Sequence, residues 1–201
     1  MIESTNIGVV ILAAGSSSRL GRPKQLLKYQ NKTLLQRIID TVITLNFTTS
    51  VVVLGAHADQ IREAVNFESV TAVYNGHWSE GIASSIRVGV EECIKLNASL
   101  KSILFVLSDQ PSVSSKLIQR LIDKHNHRPQ RITACSYKQN VGVPVIFSKQ
   151  FFPKLMELTG DVGAKKIIMR HSEVVDELIF EKGYFDIDTV EDYKQLQNNH
   201  F

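Results

Sequence analysis

The sequence is poor in cysteine and has no apolar stretch long enough for a bilayer, and each shortage removes a class of protein. Cys93 and Cys135 are its only two cysteines. They stand in unrelated apolar surroundings without a C-x-x-C partner, so neither a zinc site nor a redox pair is indicated and buried reduced thiols are expected. The longest apolar runs, Ile7 to Ala14 and Ile103 to Leu107, fall far short of the roughly 18 residues that a membrane-spanning helix needs. Glu3, Ser4, Thr5 and Asn6 interrupt any signal-peptide core, which leaves the cytoplasm as the expected location. The six histidines, His57, His77, His125, His127, His171 and His200, lack metal-ligand spacing such as H-E-x-x-H. His125 and His127 fall near a helix end, where exposure is the expectation. A net charge of +3 is too small for a protein that must neutralise a nucleic-acid backbone. Repeats, low-complexity tracts and Pro/Gly-rich linkers are missing as well. The 201 residues therefore read as one domain, 1–201, large enough to bury about two-thirds of its unfolded surface.

What is present is alternation of strand-like and helix-like segments. Ile7-Gly8-Val9-Val10-Ile11-Leu12 is continuously apolar, as a strand covered on both faces must be. Similar runs follow at Ser50 to Leu54, Val70 to Tyr74, Ile103 to Leu107 and Ile132 to Cys135. Between them, apolar residues at helical spacing run from Leu34 to Leu45, with Thr33 as candidate N-cap, and from Ile86 to Leu96. A third set, Leu117 to Ile122, is opened by Ser114 and Ser115. The pattern predicts an α/β fold, a Rossmann-like doubly wound, mostly parallel sheet with helices on both faces. Ligands of such sheets bind outside the carboxyl ends of the strands, so chemically useful residues should follow strands directly. After Cys135 the pattern changes. Val143 to Phe147 reads as an antiparallel strand or hairpin added to the sheet, on the acceptor side of a cleft, and Pro144 favours an edge position.

Five segments could carry chemistry. In Leu12-Ala13-Ala14-Gly15-Ser16-Ser17-Ser18-Arg19-Leu20-Gly21-Arg22-Pro23-Lys24 a buried strand opens into a turn of small residues. Backbone N–H groups there can approach a polyphosphate, with Arg19, Arg22 and Lys24 supplying charge. It is neither a P-loop nor G-x-G-x-x-G; the bland reading is a polar turn with solvated basic residues. Leu107-Ser108-Asp109-Gln110-Pro111 places a carboxylate at a strand end, either to ligate a hard cation or merely to form a turn. Asp186-Ile187-Asp188-Thr189 either adds a second carboxylate or caps the last helix. Trp78 to Val90 offers Gly81, Ser84 and Ser85 to a nucleobase, or an N-capped helix packed closely at Gly89. Gly142-Val143-Pro144 and Thr159-Gly160-Asp161 are turn elements or an acceptor site.

Together these strings resemble the MobA-like nucleotidyltransferases, molybdenum-cofactor cytidylyltransferase branch. The first resembles the L-A-A-G-x-x-x-R-M-G-x-P-K signature, with Ser17 where some members carry glycine and Leu20 in place of Met. Leu-Ser-Asp-Gln-Pro and Asp-Ile-Asp-Thr resemble the metal-ligand elements, with Val190 replacing a proline. Gly81 to Gly89 is similar to G-M-x-S-S-L-R-x-G-L, and the last pair to G-H-P-x-x-F and T-G-D-x-G-A, with Val143 replacing His. The resemblance implies Mg²⁺ held by Asp109 and Asp188, with Asp186 in support. It implies nucleotide contacts from Leu12, Ala13, Ala14, Gly15, Gly81 and Ser85, and transition-state contacts from Lys24 and Arg19. Acceptor contacts fall to Gly142, Pro144 and Asp161, and Arg87 joins the base contacts less firmly. The implied reaction moves CMP from CTP to a phosphorylated acceptor, a molybdopterin, releasing pyrophosphate; a molybdoenzyme is an implied partner. Ala-Ala-Gly rather than Ala-Gly-Gly favours CTP, because a methyl beside the base narrows the pocket against a purine. Three alternatives stay open: guanylyl transfer to the same cofactor, a sugar-phosphate or methylerythritol-phosphate acceptor, and a non-catalytic nucleotide-binding cofactor chaperone.

Overall fold

A computed structural model describes residues 6–138 and 140–198; the signal-peptide reading at Glu3 to Thr5 lies outside them. The chain runs from β1 (Ile7–Ala13) through a loop to the short hairpin β2 (Lys28–Tyr29) and β3 (Lys32–Thr33), then α1 (Leu34–Ile43). It continues as β4 (Thr49–Leu54), α2 (Ala58–Ala64), β5 (Thr71–Tyr74), α3 (Ile82–Leu96), β6 (Ser102–Leu107) and α4 (Ser115–His127). The last part comprises β7 (Ile132–Tyr137), β8 (Asn140–Ser148), α5 (Phe152–Met156), α6 (Lys165–Arg170), β9 (Val175–Ile179) and α7 (Val190–Asn198).

Seven strands form one sheet in the order β5-β4-β1-β6-β8-β7-β9. All neighbours pair parallel except β8, which runs antiparallel to both β6 and β7. This is the expected mostly parallel, doubly wound sheet. The chain winds outward from β1 to β4 and β5, then returns to β6 on the other side of β1. The strand order therefore reverses between β1 and β6, and a crevice opens at their carboxyl ends. Every residue of β1 is buried, the reason its sequence shows no alternation. Val9, Ile11 and Ala13 pack under α1, α2 and α4, while Val10 and Leu12 pack under α3, α5 and α6. At Gly89, α3 and β1 are close enough that a Cβ there would lie 2.5 Å from Val10 Cγ1.

The expected helix starts are in place. The Thr33 side chain accepts from the Gln36 N–H at 3.1 Å and the Ser114 side chain from the Leu117 N–H at 3.3 Å. Two expectations are corrected. Pro144 is not on an edge strand: β8 lies inside the sheet and β9 is the edge. A proline is tolerated there because the β7 pairing jumps from Ala134↔Val145 to Cys135↔Gly142, and the β6 pairing ends at Val145. At that irregularity no ladder hydrogen bond is asked of residue 144. His125 is not on the surface either. It is 1% exposed, with Nε2 2.8 Å from Ser102 Oγ and Nδ1 3.0 Å from Thr133 Oγ1, so it ties α4 to β6 and β7. His127 is exposed as expected, and both thiols are buried and free. Among the described residues no helix is long and apolar enough to cross a membrane.

Candidate active site

The turn after β1 is held open from behind by Gln25. Its side chain is 1% exposed, and Nε2 donates to the carbonyls of Ala13 at 2.8 Å and Gly15 at 2.9 Å. With those carbonyls drawn inward, the intervening backbone faces the crevice, and a Cβ on Gly15 would meet nothing within 4 Å. Ser17 and Gly21 take φ of 54° and 66°. The left-handed conformation at 17 accounts for glycine being an alternative there, and serine is used to cap the returning chain: its Oγ accepts from the Lys24 N–H at 3.1 Å. His57 adds a contact to the Ser16 carbonyl at 3.0 Å.

The two aspartates, 79 positions apart in the chain, meet at the mouth of this crevice. Asp109 follows β6 after Ser108 alone. Asp188 arrives on an extended segment whose odd members, Phe185 and Ile187, are buried with Leu20, Leu27, Tyr29, Leu34 and Leu196. Its even members, Asp186 and Asp188, face the cleft. The Ile187 N–H donates to the Asp109 carbonyl at 3.2 Å, which registers the two acidic segments on each other. Helix α7 is also capped here: Asp192 accepts from the Thr189 N–H at 2.8 Å while its own N–H donates to Thr189 Oγ1 at 3.2 Å. Capping and carboxylate placement are therefore served by adjacent residues, not by rival readings of one.

Lys24 joins the pair. Its ammonium contacts Asp109 Oδ2 and lies 2.9 Å from Asp188 Oδ1, and Arg19 Nη2 lies 2.9 Å from Asp188 Oδ2. Burial alone would lower the Lys24 pKa, but the two carboxylates outweigh it and hold it above the ordinary lysine value. Burial likewise pushes Asp188 upward, yet hydrogen bonds and charge from Lys24 and Arg19 hold it below the usual carboxylate range. Asp186 goes the other way, raised to about 6 by burial and by the charge of Asp109. The donor chemistry fits a hard divalent cation: Oδ1 of Asp109 and Oδ1 of Asp186 are buried without a hydrogen-bond partner, and Mg²⁺ is commonly held by only one or two protein carboxylates. Among the described residues no preassembled cluster of three or more His, Cys, Asp or Glu ligands is present. Any cation would thus rely on the aspartates together with oxygens of its substrate.

A cleft of about 650 Å³ gathers these groups, a volume suited to a nucleotide. Leu12, Ala13, Ala14, Gly15, Arg19, Lys24, Asp109, Asp188, Gly81, Ser85 and Asp161 all line it, as do Trp78, Glu80 and Asp186. Gly142 and Pro144 do not. Gly142 sits on β8 beside Tyr137, whose hydroxyl would lie 3.0 Å from an added Cβ. Arg87 also stays off the lining, engaged instead with Glu80. Several supporting residues were not singled out from the sequence. Besides Gln25, Asn75 is buried and donates to Ser84 Oγ at 2.8 Å and Ser85 Oγ at 3.0 Å, fixing the serines at the start of α3. An Asn one residue past a strand was the available signal.

The chain and its fold have counterparts among known proteins. Residues 9–174 match the model of the MobA-like NTP transferase domain. Among curated proteins, the nicotine blue oxidoreductase of Paenarthrobacter nicotinovorans is 33% identical over 198 residues, covering 93% of this chain and 94% of that protein. Among solved structures, Rv0371c of Mycobacterium tuberculosis superposes with a TM-score of 0.84 at 32% identity, covering 98% of this chain and 100% of that one. A structure of Rv0371c in complex with manganese gives a TM-score of 0.82 at 31% identity, with the same coverage.

Proposed function

Because the chain belongs to the MobA-like NTP transferase domain family of nucleotidyltransferases, we propose that it transfers CMP from CTP to the phosphate of a molybdopterin-type acceptor, releasing pyrophosphate. The reaction is read as Mg²⁺-dependent and cytoplasmic, with residues 1–201 working as one domain. The observation that carries this reading is the meeting of Asp109, Asp188 and Lys24 at the crevice between β1 and β6, beside a turn shaped to receive phosphates.

Bound there, a divalent cation would neutralise phosphate oxygens that otherwise repel an incoming nucleophile. The protein's own contribution is positional. Asp109 and Asp188 would hold the cation. The turn from Ala13 to Ser16 would present N–H groups to the triphosphate. Lys24 and Arg19, released from the aspartates by the polyphosphate, would stabilise charge that grows on the α-phosphoryl and leaving pyrophosphate. Attack by the acceptor phosphate on the α-phosphorus in line with the departing pyrophosphate needs no protein nucleophile. Gly81 and Ser85 are assigned to the base, and Gly142, Pro144 and Asp161 to the acceptor. Of these last three, Asp161 has the direct support of lining the cleft. The preference for CTP is supported by Ala14, a residue of the cleft lining whose methyl is held so closely on Gly55 that a Cβ at 55 would lie 2.8 Å from it.

A second reading is favoured by the name of the Paenarthrobacter relative, matched nearly end to end: an oxidoreductase on the same scaffold. Incubating the purified protein with Mg²⁺, each of the four NTPs and molybdopterin, and measuring pyrophosphate, tests the first reading. Release with CTP and acceptor supports it, and release with GTP would move it to guanylyl transfer. Silence with every NTP, together with acceptor-dependent oxidation of NADH or NADPH, would replace it by the second. A molybdoenzyme receiving the product is part of the first reading.

A further inference from the structure

The acceptor side of the cleft hangs on a short polar network. Glu80 and Arg87 form a two-pronged ion pair, Nη1 to Oε1 at 2.8 Å and Nη2 to Oε2 at 2.6 Å. Both partners reach on to the segment between α5 and α6. Glu80 Oε1 accepts the Gly160 N–H at 3.1 Å, and Arg87 Nη1 donates to the Leu158 carbonyl. The start of α3 grips the same segment, with the Ala83 N–H donating to the Gly160 carbonyl at 3.2 Å and the Ile82 N–H to Asp161 Oδ1 at 3.5 Å. The two backbones are so close that a Cβ on Gly81 would fall 2.6 Å from the Gly160 carbonyl oxygen and from Asp161 Cα. Four hydrogen bonds and one bare glycine thus hold residues 158–161 against the turn that lines the base side of the cleft.

From this arrangement we infer that Glu80 and Arg87 are positioning residues: their ion pair latches the 158–161 segment so that Asp161 faces the acceptor end of the cleft. The inference rests on the proposed nucleotidyl transfer for its kinetic consequence, but not for its structural one. Neither residue need touch the reacting atoms. The planar guanidinium matches the carboxylate fork while sparing an N–H for the Leu158 carbonyl, which an ammonium on a flexible stem reproduces poorly. The pair is partly shielded, with side chains 25% and 34% exposed. Its value is therefore in geometry more than in stability, because such pairs contribute little to folding. Leu158 anchors one end of the segment in the core, but Gly160 and Asp161 beyond it are held by these polar contacts, and such a stretch opens locally at low cost when one contact is removed.

Two measurements on the full-length protein test this. Hydrogen exchange of the Gly160 amide, read without any ligand, should accelerate about tenfold or more in Arg87→Ala and in Glu80→Ala, with Arg87→Lys between them and the wild type. In pyrophosphate-release assays with CTP and molybdopterin, Arg87→Ala should raise the KM for molybdopterin about tenfold while kcat and the KM for CTP stay within about twofold. Should Arg87→Ala fail to fold, Arg87→Lys serves for both arms. Unchanged Gly160 exchange would overturn the latch. So would a fall in kcat with an unaltered acceptor KM. If no substrate is turned over at all, the proposed function fails while the exchange measurement still decides the latch.

Discussion

The ammonium of Lys24 lies 2.9 Å from Oδ1 of Asp188 while it also contacts Asp109, so a lysine stands between the carboxylates assigned to a metal ion. Two cations cannot share that position at these distances without strong repulsion. Lys24 thus competes with a divalent cation for the two aspartates. Lys24→Ala should therefore separate two properties. Without nucleotide, Mn²⁺ followed by electron paramagnetic resonance should bind the variant more tightly than the wild type, since a competing charge is gone. In turnover, kcat should fall by about 10² to 10³, the scale for one lost transition-state donor. Weaker Mn²⁺ binding in the variant, or normal turnover, would reject the assignment.

Asp186 carries the opposite stress. Burial and the neighbouring Asp109 raise its pKa to about 6, so the folded state holds its proton more firmly than the unfolded chain does. A raised carboxyl stabilises the fold fully below its ordinary value near 3.8, and that contribution is lost as pH rises through about 6. At pH 7.5 the ionised group is a liability for the metal-free protein, borne for the sake of the site. Asp186→Asn should raise the melting temperature at pH 7.5 by a few degrees and leave it unchanged or lower at pH 4. It should also weaken Mn²⁺ binding. Thermal scans at the two pH values check the sign, and a lower melting temperature at pH 7.5 would contradict the electrostatic account.

How far the sequence could be read depended on whether burial was uniform or selective. The run Ile7 to Leu12 announces a central strand because both faces of β1 are covered, and Asp109 is legible because it follows such a strand. The β9 segment, Val-Asp-Glu-Leu-Ile, is a sheet edge with only partial cover, so its acidic residues hide the strand. Helix α2 buries only Ala58 and Ile61, too few positions for periodicity to register. The approach of Asp188 to Asp109 could be suspected only from family resemblance. Its physical cause, the burial of Phe185 and Ile187 beneath the loop from Leu20 to Tyr29, is a tertiary event between chain ends. Pro144 and His125 were misplaced for the same reason: a local preference was overridden by a pairing irregularity in one case and by two buried hydroxyls in the other.

Gln25 makes a prediction about the phosphate turn. Its Nε2 donates to two carbonyls of the turn at once. Gln25→Leu should cost about 1–3 kcal/mol for the buried Ala13 carbonyl left without this donor, less for Gly15, which water can reach, and the relaxed turn should raise the KM for nucleotide. Gln25→Glu should be worse at neutral pH, because an ionised carboxylate would face the same two carbonyl oxygens with no N–H to offer. Denaturant titration together with nucleotide KM for both variants provides the check. Equal behaviour of the two would mean that the amide acts through its shape and not through its donor.

His125 predicts how stability should depend on pH. Burial lowers its pKa to about 4, with Asp176 opposing weakly, because a neutral ring can exchange hydrogen bonds with Ser102 and Thr133 whereas an imidazolium would be stranded among buried groups. The unfolded chain takes up this proton near 6.5 and the folded chain only near 4, so between those values the unfolded state binds more protons. The stabilisation is complete above about 6.5 and drains away as pH falls through about 4, up to about 3 kcal/mol for a shift of this size. Between pH 7 and 4.5 the melting temperature should decline. In His125→Gln, which keeps a donor and an acceptor but no titrating ring, the decline should be shallower and the starting stability lower. Parallel curves for the two proteins would show that the buried ring is protonated as readily folded as unfolded, and would remove His125 from any account of acid sensitivity.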